Sequence, residues 1–279
     1  MVVFSRLTAL IQLSRPVNVA ITFLAVFIAA FITGTVQPLP AVLLAGLSAG
    51  LIAAAANTIN DFYDVEIDRI NKPRRPLPGG KISPAAARAA ALAEFALGNL
   101  LAALISLPMF LIAAFFSLLT YLYAAFLKRT VLWGNIAVSL TTAAAFIYGG
   151  TAVNRPAQTA IPAAFAFFFH FGREIIKDME DVRGDSAHRA RTFPIRFGMR
   201  PAIALVWVNF ITLAILTIFP YAMGWYGPVY FIIVAAGLYP VIFYTLISLL
   251  KNTSSRHLGF LSALLKADMV VGLLAIYFR

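Results

Sequence analysis

The sequence predicts an all-α polytopic membrane protein, a bundle of nine transmembrane helices. Three observations lead there. The 279 residues are 61% hydrophobic and only 12% charged, about half the charged fraction of a soluble domain. The apolar residues fall into nine long stretches, and the basic residues collect between alternate ones. Cysteine is absent, which excludes disulfides, thiolate nucleophiles and thiolate metal sites.

Met1–Ser14, with Arg6 among Leu7, Leu10, Ile11 and Leu13, reads as a short interfacial helix. A spanning helix needs about 20 apolar residues. The stretches 17–36, 40–59, 86–106, 109–127, 132–152, 157–177, 200–219, 227–250 and 258–277 provide them. Pro16, Pro108, Pro156 and Pro201 stand near the starts of four stretches, where a missing N–H costs nothing. Pro38, Pro40, Gly224 and Gly227 mark turns. The first stretch is too long for a secretory signal and lacks a cleavage site. The whole of 1–279 is expected to form one intramembrane domain.

Charge sets the orientation. With nine spans, the N-terminus and the loops after spans 2, 4, 6 and 8 share one side. That side takes nearly all the Lys and Arg, while the other has only Arg155 and Arg279. Basic loops stay cytoplasmic, so a multi-pass cell-membrane protein with a cytoplasmic basic face is expected. The net charge of +11 therefore meets lipid headgroups and anionic substrates, and no nucleic acid.

The negative charge is concentrated further. Of eleven carboxylates, four lie in Asn60-Asp61-Phe62-Tyr63-Asp64-Val65-Glu66-Ile67-Asp68 and five in Glu174-Ile175-Ile176-Lys177-Asp178-Met179-Glu180-Asp181-Val182-Arg183-Gly184-Asp185. Each cluster ends an apolar stretch on the cytoplasmic side. Their separation by four spans hints at a duplicated two-part bundle. On a continuous helix Asn60, Asp64 and Asp68 form one stripe, rising about 6 Å per step, with Asn57 and Asp61 beside it. Glu174, Asp178, Asp181 and Asp185 likewise share a face, with Gly184 a place where the helix can stop before Asp185. Crowded acids repel unless cations hold them. Oxygen ligands so spaced suit Mg²⁺, which keeps waters and takes carboxylates plus substrate phosphates. The alternative is a solvated face paired with nearby Arg and Lys.

Basic loops follow both clusters. Arg69, Lys72 and Arg75 follow the first, Arg189 and Arg191 the second, and Lys128 lies on the loop after span 4. Such side chains cover phosphate oxygens that metals leave open. Paired acidic helices facing apolar spans suit departure of an allylic diphosphate, with Tyr63, Tyr121, Tyr123, Tyr148 and Phe167–Phe169 available to line an allylic cation; for any one of these aromatics ordinary packing is the better explanation. Asn135 is placed to cap or cross-link helices. His170 reads as packing and His188 as a solvent-exposed loop residue.

Asn60-Asp61-x-x-Asp64-x-x-x-Asp68 followed by Arg74-Arg75-Pro76-Leu77-Pro78 resembles the first signature of UbiA-type intramembrane prenyltransferases. Asp181-x-x-x-Asp185, preceded by Asp178, resembles the second. The resemblance covers essentially the whole chain and implies a helical bundle with a central cavity open to lipid. It implies Mg²⁺-dependent transfer of a prenyl group from its diphosphate to a lipophilic acceptor. Asn60, Asp64 and Asp68 would then hold one Mg²⁺, and Asp181 and Asp185 a second with help from Asp178. Asp64, Asp68, Asp181 and Asp185 would be the catalytic acids, and Lys128 a diphosphate contact. Arg15-Pro16-Val17-Asn18, the run from Asp68 to Pro78, the run from Arg173 to Asp185 and Ala190-Arg191-Thr192-Phe193-Pro194 are most similar to the branch that builds archaeal ether lipids. That branch implies geranylgeranyl diphosphate as donor and geranylgeranylglyceryl phosphate as acceptor. Arg15, Arg69, Arg173 and Lys177 are candidates for the acceptor's own phosphate. Two rivals stand beside it: an aromatic-acceptor enzyme of quinone synthesis, and an ion-coupled transporter, for which Lys266 and Asp268 inside the last stretch would be the relevant charges.

Overall fold

The structure, a computed structural model, describes residues 2–187 and 190–279, with the side chains of 2–6, 70 and 71 outside that description. The readings of His188, Arg189 and the Arg6 side chain fall outside the described residues. The described residues are helical apart from turns and loops. The helices are α1 (Val2–Ser14), α2 (Pro16–Phe31), α3 (Leu39–Tyr63), α4 (Val65–Asn71), α5 (Pro84–Ile105), α6 (Leu107–Ala125) and α7 (Trp133–Ala152). They continue as α8 (Ala160–Ala187), α9 (Phe193–Phe197), α10 (Met199–Ala222), α11 (Pro228–Ile233), α12 (Tyr239–Lys251) and α13 (Ser255–Tyr277). A π-helical turn, Val234–Leu238, joins α11 to α12.

Local chemistry sets several boundaries. Pro occupies the first turn of α2, α3, α5 and α6. Ser83 and Ser106 accept from the amides of Ala86 and Met109, capping α5 and α6. The first expected stretch stops being helical at Phe31, and Gly34 follows with φ 81°. Among the described residues six helical segments are long and apolar enough to cross a membrane: α3, α5, α6, α10, Pro228–Lys251 and α13. The α1–α2 pair, bent by 50°, makes a seventh if taken as one span. The protein is therefore a multi-pass membrane protein. The expected stretches 132–152 and 157–177 are helical too, as α7 and α8. Asn135 and a Thr- and Gly-rich sequence dilute α7, and α8 takes Arg173, Glu174 and Lys177 into the last part of its stretch, so apolarity alone does not make either one a span. Leu104, Leu107, Phe115, Val208, Ile215 and Phe243 are all exposed, the surface a helix presents to lipid tails.

Two compact units are present. The first comprises the chain through Leu127 with Ala145–Thr159, and the second Lys128–Ala144 with Ala160–Arg279. Each carries one acidic cluster. In the first, α3 packs on α1, α2, α5 and α6 around Val26, Val42, Ile52, Ile59, Phe95 and Met109. Ser48 bonds the Gly98 carbonyl and the Tyr148 hydroxyl, both at 2.8 Å, so Tyr148 is a buried cross-link between helices. In the second, α8 packs on α10 and α13. Gly172 makes the α8–α10 approach possible: a Cβ there would lie 2.6 Å from Asn209 Nδ2 and 2.8 Å from the Phe210 ring.

Candidate active site

The first cluster is built where α3 gives way to α4. Asp64 sits at the junction with φ −94° and ψ 3°, yet the backbone ladder passes through it. Asp64 N–H donates to Asn60 O at 3.0 Å, Asp68 N–H to Asp64 O at 2.7 Å and Lys72 N–H to Asp68 O at 2.8 Å. Asn60, Asp64, Asp68 and Lys72 are thus linked turn by turn, and the expected stripe persists across a helix boundary. Asn60 Nδ2 donates to Asp64 Oδ2 at 3.0 Å, which turns the amide oxygen away from that carboxylate.

Asp61, 3% exposed, is not on the stripe. Its Oδ1 accepts from Arg15 Nη2 at 2.5 Å and from Arg75 Nη1 at 3.1 Å. Arg75 Nη1 also reaches Asp68 Oδ2 at 2.6 Å. Arg15 occupies the kink between α1 and α2 with a left-handed backbone, φ 53°, and Asn57 Nδ2 ties that kink down by donating to Ser14 O at 3.0 Å. Burial pushes the Asp68 carboxyl above the usual carboxylate range, and the adjacent Arg75 guanidinium opposes the rise.

The loop that carries Arg75 is itself a packed object. Leu77 and Ile82 bury against Ala9, Leu13 and Ala87. Gly79 N–H donates to Arg75 O at 2.9 Å, and Lys81 N–H to Pro76 O at 2.9 Å. A Cβ on Gly79 would meet the Arg75 carbonyl at 2.9 Å, so the turn closes only with glycine there. Lys72 is exposed at the end of α4. Arg69 is exposed and paired with Glu66 one turn back, at 2.8 Å. The Tyr63 and Tyr121 hydroxyls meet at 2.9 Å with the rings edge to face.

The second cluster lies on one helix. α8 runs through Gly184 to Ala187, so the expected stop before Asp185 does not occur, and Glu174, Asp178, Asp181 and Asp185 share one continuous helix. Glu174 differs from the other three. It is 6% exposed and accepts from Arg173 Nη1 at 3.0 Å and Lys177 Nζ at 2.9 Å. Arg173 Nε also donates to Ser262 O on α13 at 3.2 Å. Asp178 Oδ2 accepts from Asn135 Nδ2 at 2.8 Å, the cross-link expected of Asn135. Asp181 and Asp185 are half-buried. Lys128 lies on a 3-10 turn, Leu127–Arg129. Arg191 N–H donates to Arg129 O at 2.8 Å, and Ala190 N–H to Asp185 O at 3.0 Å. Lys128 and the segment after Asp185 are therefore neighbours within the second unit.

Among the described residues no group of three or more Asp, Glu or His is close enough to form a ready-made metal cage. Mg²⁺ binds through one or two carboxylates and completes its shell with waters and substrate phosphates. The donors on each helix are all oxygens, as this ion requires.

Three features were not foreseen from the residues. The Arg15–Asp61–Arg75–Asp68 chain depends on two loops folding back, although Asp61, off the period-four stripe and followed by a Pro-rich basic loop, was a usable signal. Ser262 enters through its backbone, which no sequence pattern marks. Glu94, a lone carboxylate inside the apolar α5, has Oε2 buried without a hydrogen-bond partner; its isolation within stretch 86–106 was visible.

The family described as UbiA prenyltransferase matches residues 19–265. The chain is 38% identical to the digeranylgeranylglyceryl phosphate synthase of Methanopyrus kandleri over 267 residues, covering 96% of this chain and 97% of that one. A solved structure from work on digeranylgeranylglyceryl phosphate synthase in membranes is 30% identical and has a TM-score of 0.77, covering 98% of this chain and 97% of that one. A UbiA homolog from Archaeoglobus fulgidus bound to GPP and Mg²⁺ shares the fold at 23% identity with a TM-score of 0.64, covering 96% of this chain and 99% of that one.

Proposed function

The chain belongs to the UbiA prenyltransferase family, and from that premise we propose that it transfers a geranylgeranyl group from geranylgeranyl diphosphate to geranylgeranylglyceryl phosphate. The observation that carries this reading is the likeness to digeranylgeranylglyceryl phosphate synthases over nearly the full length of both chains. The chain acts as a single prenyltransferase domain with nine spans, and both acidic clusters face the cytoplasm.

Asn60, Asp64 and Asp68 would hold one Mg²⁺, and Asp181 and Asp185, supported by Asp178, another. Bound Mg²⁺ neutralises the diphosphate as a leaving group. Lys72, Arg75 and Lys128 bind diphosphate oxygens that remain uncovered. Asn135 fixes the rotamer of Asp178 (Nδ2 to Oδ2, 2.8 Å). Arg75 balances Asp61 and Asp68 before substrate arrives, so these buried acids are not left facing each other uncompensated. The bond from prenyl C1 to the diphosphate oxygen breaks first, leaving an allylic cation, and the free hydroxyl of the glycerol unit then forms a new C–O bond at C1. The hydroxyl proton passes to water or to the released diphosphate. Apolar helices keep competing water from the allylic cation.

The test is an acceptor panel with the purified full chain in detergent, geranylgeranyl diphosphate and Mg²⁺. Diphosphate release and a double-chain ether product are expected with geranylgeranylglyceryl phosphate. Product only from hydroxybenzoate or dihydroxynaphthoate would move the chain to the aromatic-acceptor branch. No turnover with any acceptor in a folded preparation would overturn the transferase reading.

A further inference from the structure

Two cations share one carboxylate inside α8. Glu174 is buried, Arg173 has a side chain 14% exposed and Lys177 one 37% exposed. The three side chains carry two positive charges against one negative, with the Asp178 carboxyl beside Lys177 on the same helix and Lys177 partly open to solvent. The other candidate phosphate contacts are already matched. Arg69 pairs with Glu66 at the exposed surface, and Arg15 pairs with the buried Asp61.

Resting on the functional reading above, we propose that Arg173 and Lys177, set in place by Glu174 and the Ser262 carbonyl, form the seat for the acceptor's own phosphate. The donors are prepared for it. Arg173 is clamped at two nitrogens, Nε to Ser262 O at 3.2 Å and Nη1 to Glu174 Oε1 at 3.0 Å, and its second terminal nitrogen makes no further bond among the described residues. Lys177 directs Nζ to both Glu174 oxygens, at 3.3 and 2.9 Å, and its partial exposure opens it to a guest. A rigid fork beside a three-proton ammonium suits a tetrahedral oxyanion.

Position along α8 separates this seat from the diphosphate end. Lys177 precedes Asp181 by one turn, about 6 Å, and Arg173 precedes it by about 12 Å. A glyceryl monoester carries its phosphate on a carbon close to the free hydroxyl. A phosphate seated at 173–177 therefore brings that hydroxyl toward the end of the helix where the diphosphate departs.

The experiment measures steady-state KM for three acceptors at saturating donor, in wild type and in Lys177→Gln. The acceptors are geranylgeranylglyceryl phosphate, the same ether without phosphate, and hydroxybenzoate. Lys177→Gln should raise KM for the phosphorylated acceptor about tenfold or more, the size of a lost charge-assisted hydrogen bond. KM for the unphosphorylated ether and for the donor should stay put, and Lys177→Arg should restore most of the loss. In wild-type protein, glycerol phosphate should inhibit competitively against the acceptor and not against the donor, a readout that needs no variant. Full retention of phosphate selectivity in Lys177→Gln, or competition of glycerol phosphate with the donor, overturns the proposal while leaving the transferase reading intact. A rise confined to hydroxybenzoate makes the guest a carboxylate and overturns the phosphate assignment. Wild-type transfer to aromatic acceptors alone overturns the functional reading and the seat with it.

Discussion

Asp64 and Asp181 each hold a different place in the charge balance from their neighbours. Asp61 and Glu174 are buried and already ion-paired, whereas Asp64 and Asp181 remain half-buried. Replacing either by Ala should lower Mg²⁺-dependent transfer by about 10²–10³-fold while the protein stays folded, read as prenyl transfer against a thermal unfolding curve in detergent. Turnover retained in a folded variant removes that residue from the metal role. Glu174→Ala should fail differently, by destabilisation. It strands Arg173 without its carboxylate in a buried setting, and the cost should be about 2–3 kcal/mol once the exposed Lys177 is discounted for screening. An unchanged melting temperature would show that the pair contributes nothing to the fold. Spacing alone made the metal stripe legible, because period-four oxygens on a helix need no knowledge of the surroundings. It could not separate Glu174 from Asp178, Asp181 and Asp185. What sets Glu174 apart is the side-chain direction of Arg173 and Lys177 and a carbonyl from another helix.

The elements around these residues carry their own tests. The loop between α4 and α5 reaches the acids because Leu77 and Ile82 anchor it against α1 and the start of α5. Leu77→Ala removes a side chain only 4% exposed and should cost about 2 kcal/mol. It should also raise KM for the donor several-fold, because Arg75 sits two residues away on the loosened loop. Leu77→Met, which conserves volume, should do neither beyond about 1 kcal/mol. Equal donor KM in wild type and Leu77→Ala would show that loop anchoring is irrelevant to binding. Its basic residues made this segment visible in the sequence as a loop, but a charge pattern does not say what the loop lies against. The reverse error occurs at Gly184. Glycine costs a helix about 1 kcal/mol relative to Ala, a weak preference that continuation of the helix overrides, so α8 runs on to Ala187 and carries Asp185 with it.

For the whole molecule the decisive quantity is the placement of charge across the membrane. Hydropathy gave the class of the protein without ambiguity, because an all-helical chain with this much apolar surface has no alternative solvent. It did not give an unambiguous span count. α7 and α8 are helices in which the polar side chains of the second cluster, with Asn135, lower the apolar signal; chemistry placed inside a span erodes the pattern by which a span is recognised. Nine spans and six make different predictions about sidedness, and the absence of native cysteine makes them easy to separate. Single cysteines at Ser83, between α4 and α5, and at Ser254, before α13, occupy exposed positions. In intact cells both should be shielded from a membrane-impermeant maleimide and react only after permeabilisation. Cysteines at Gln37 and Gln158, also exposed, should react from outside. This pattern is demanded by nine spans with the basic loops inside. Shielding of Gln158 together with Ser83 would mean that an even number of crossings separates them, as six spans without α7 would give. In that case the nine-span count would have to be given up.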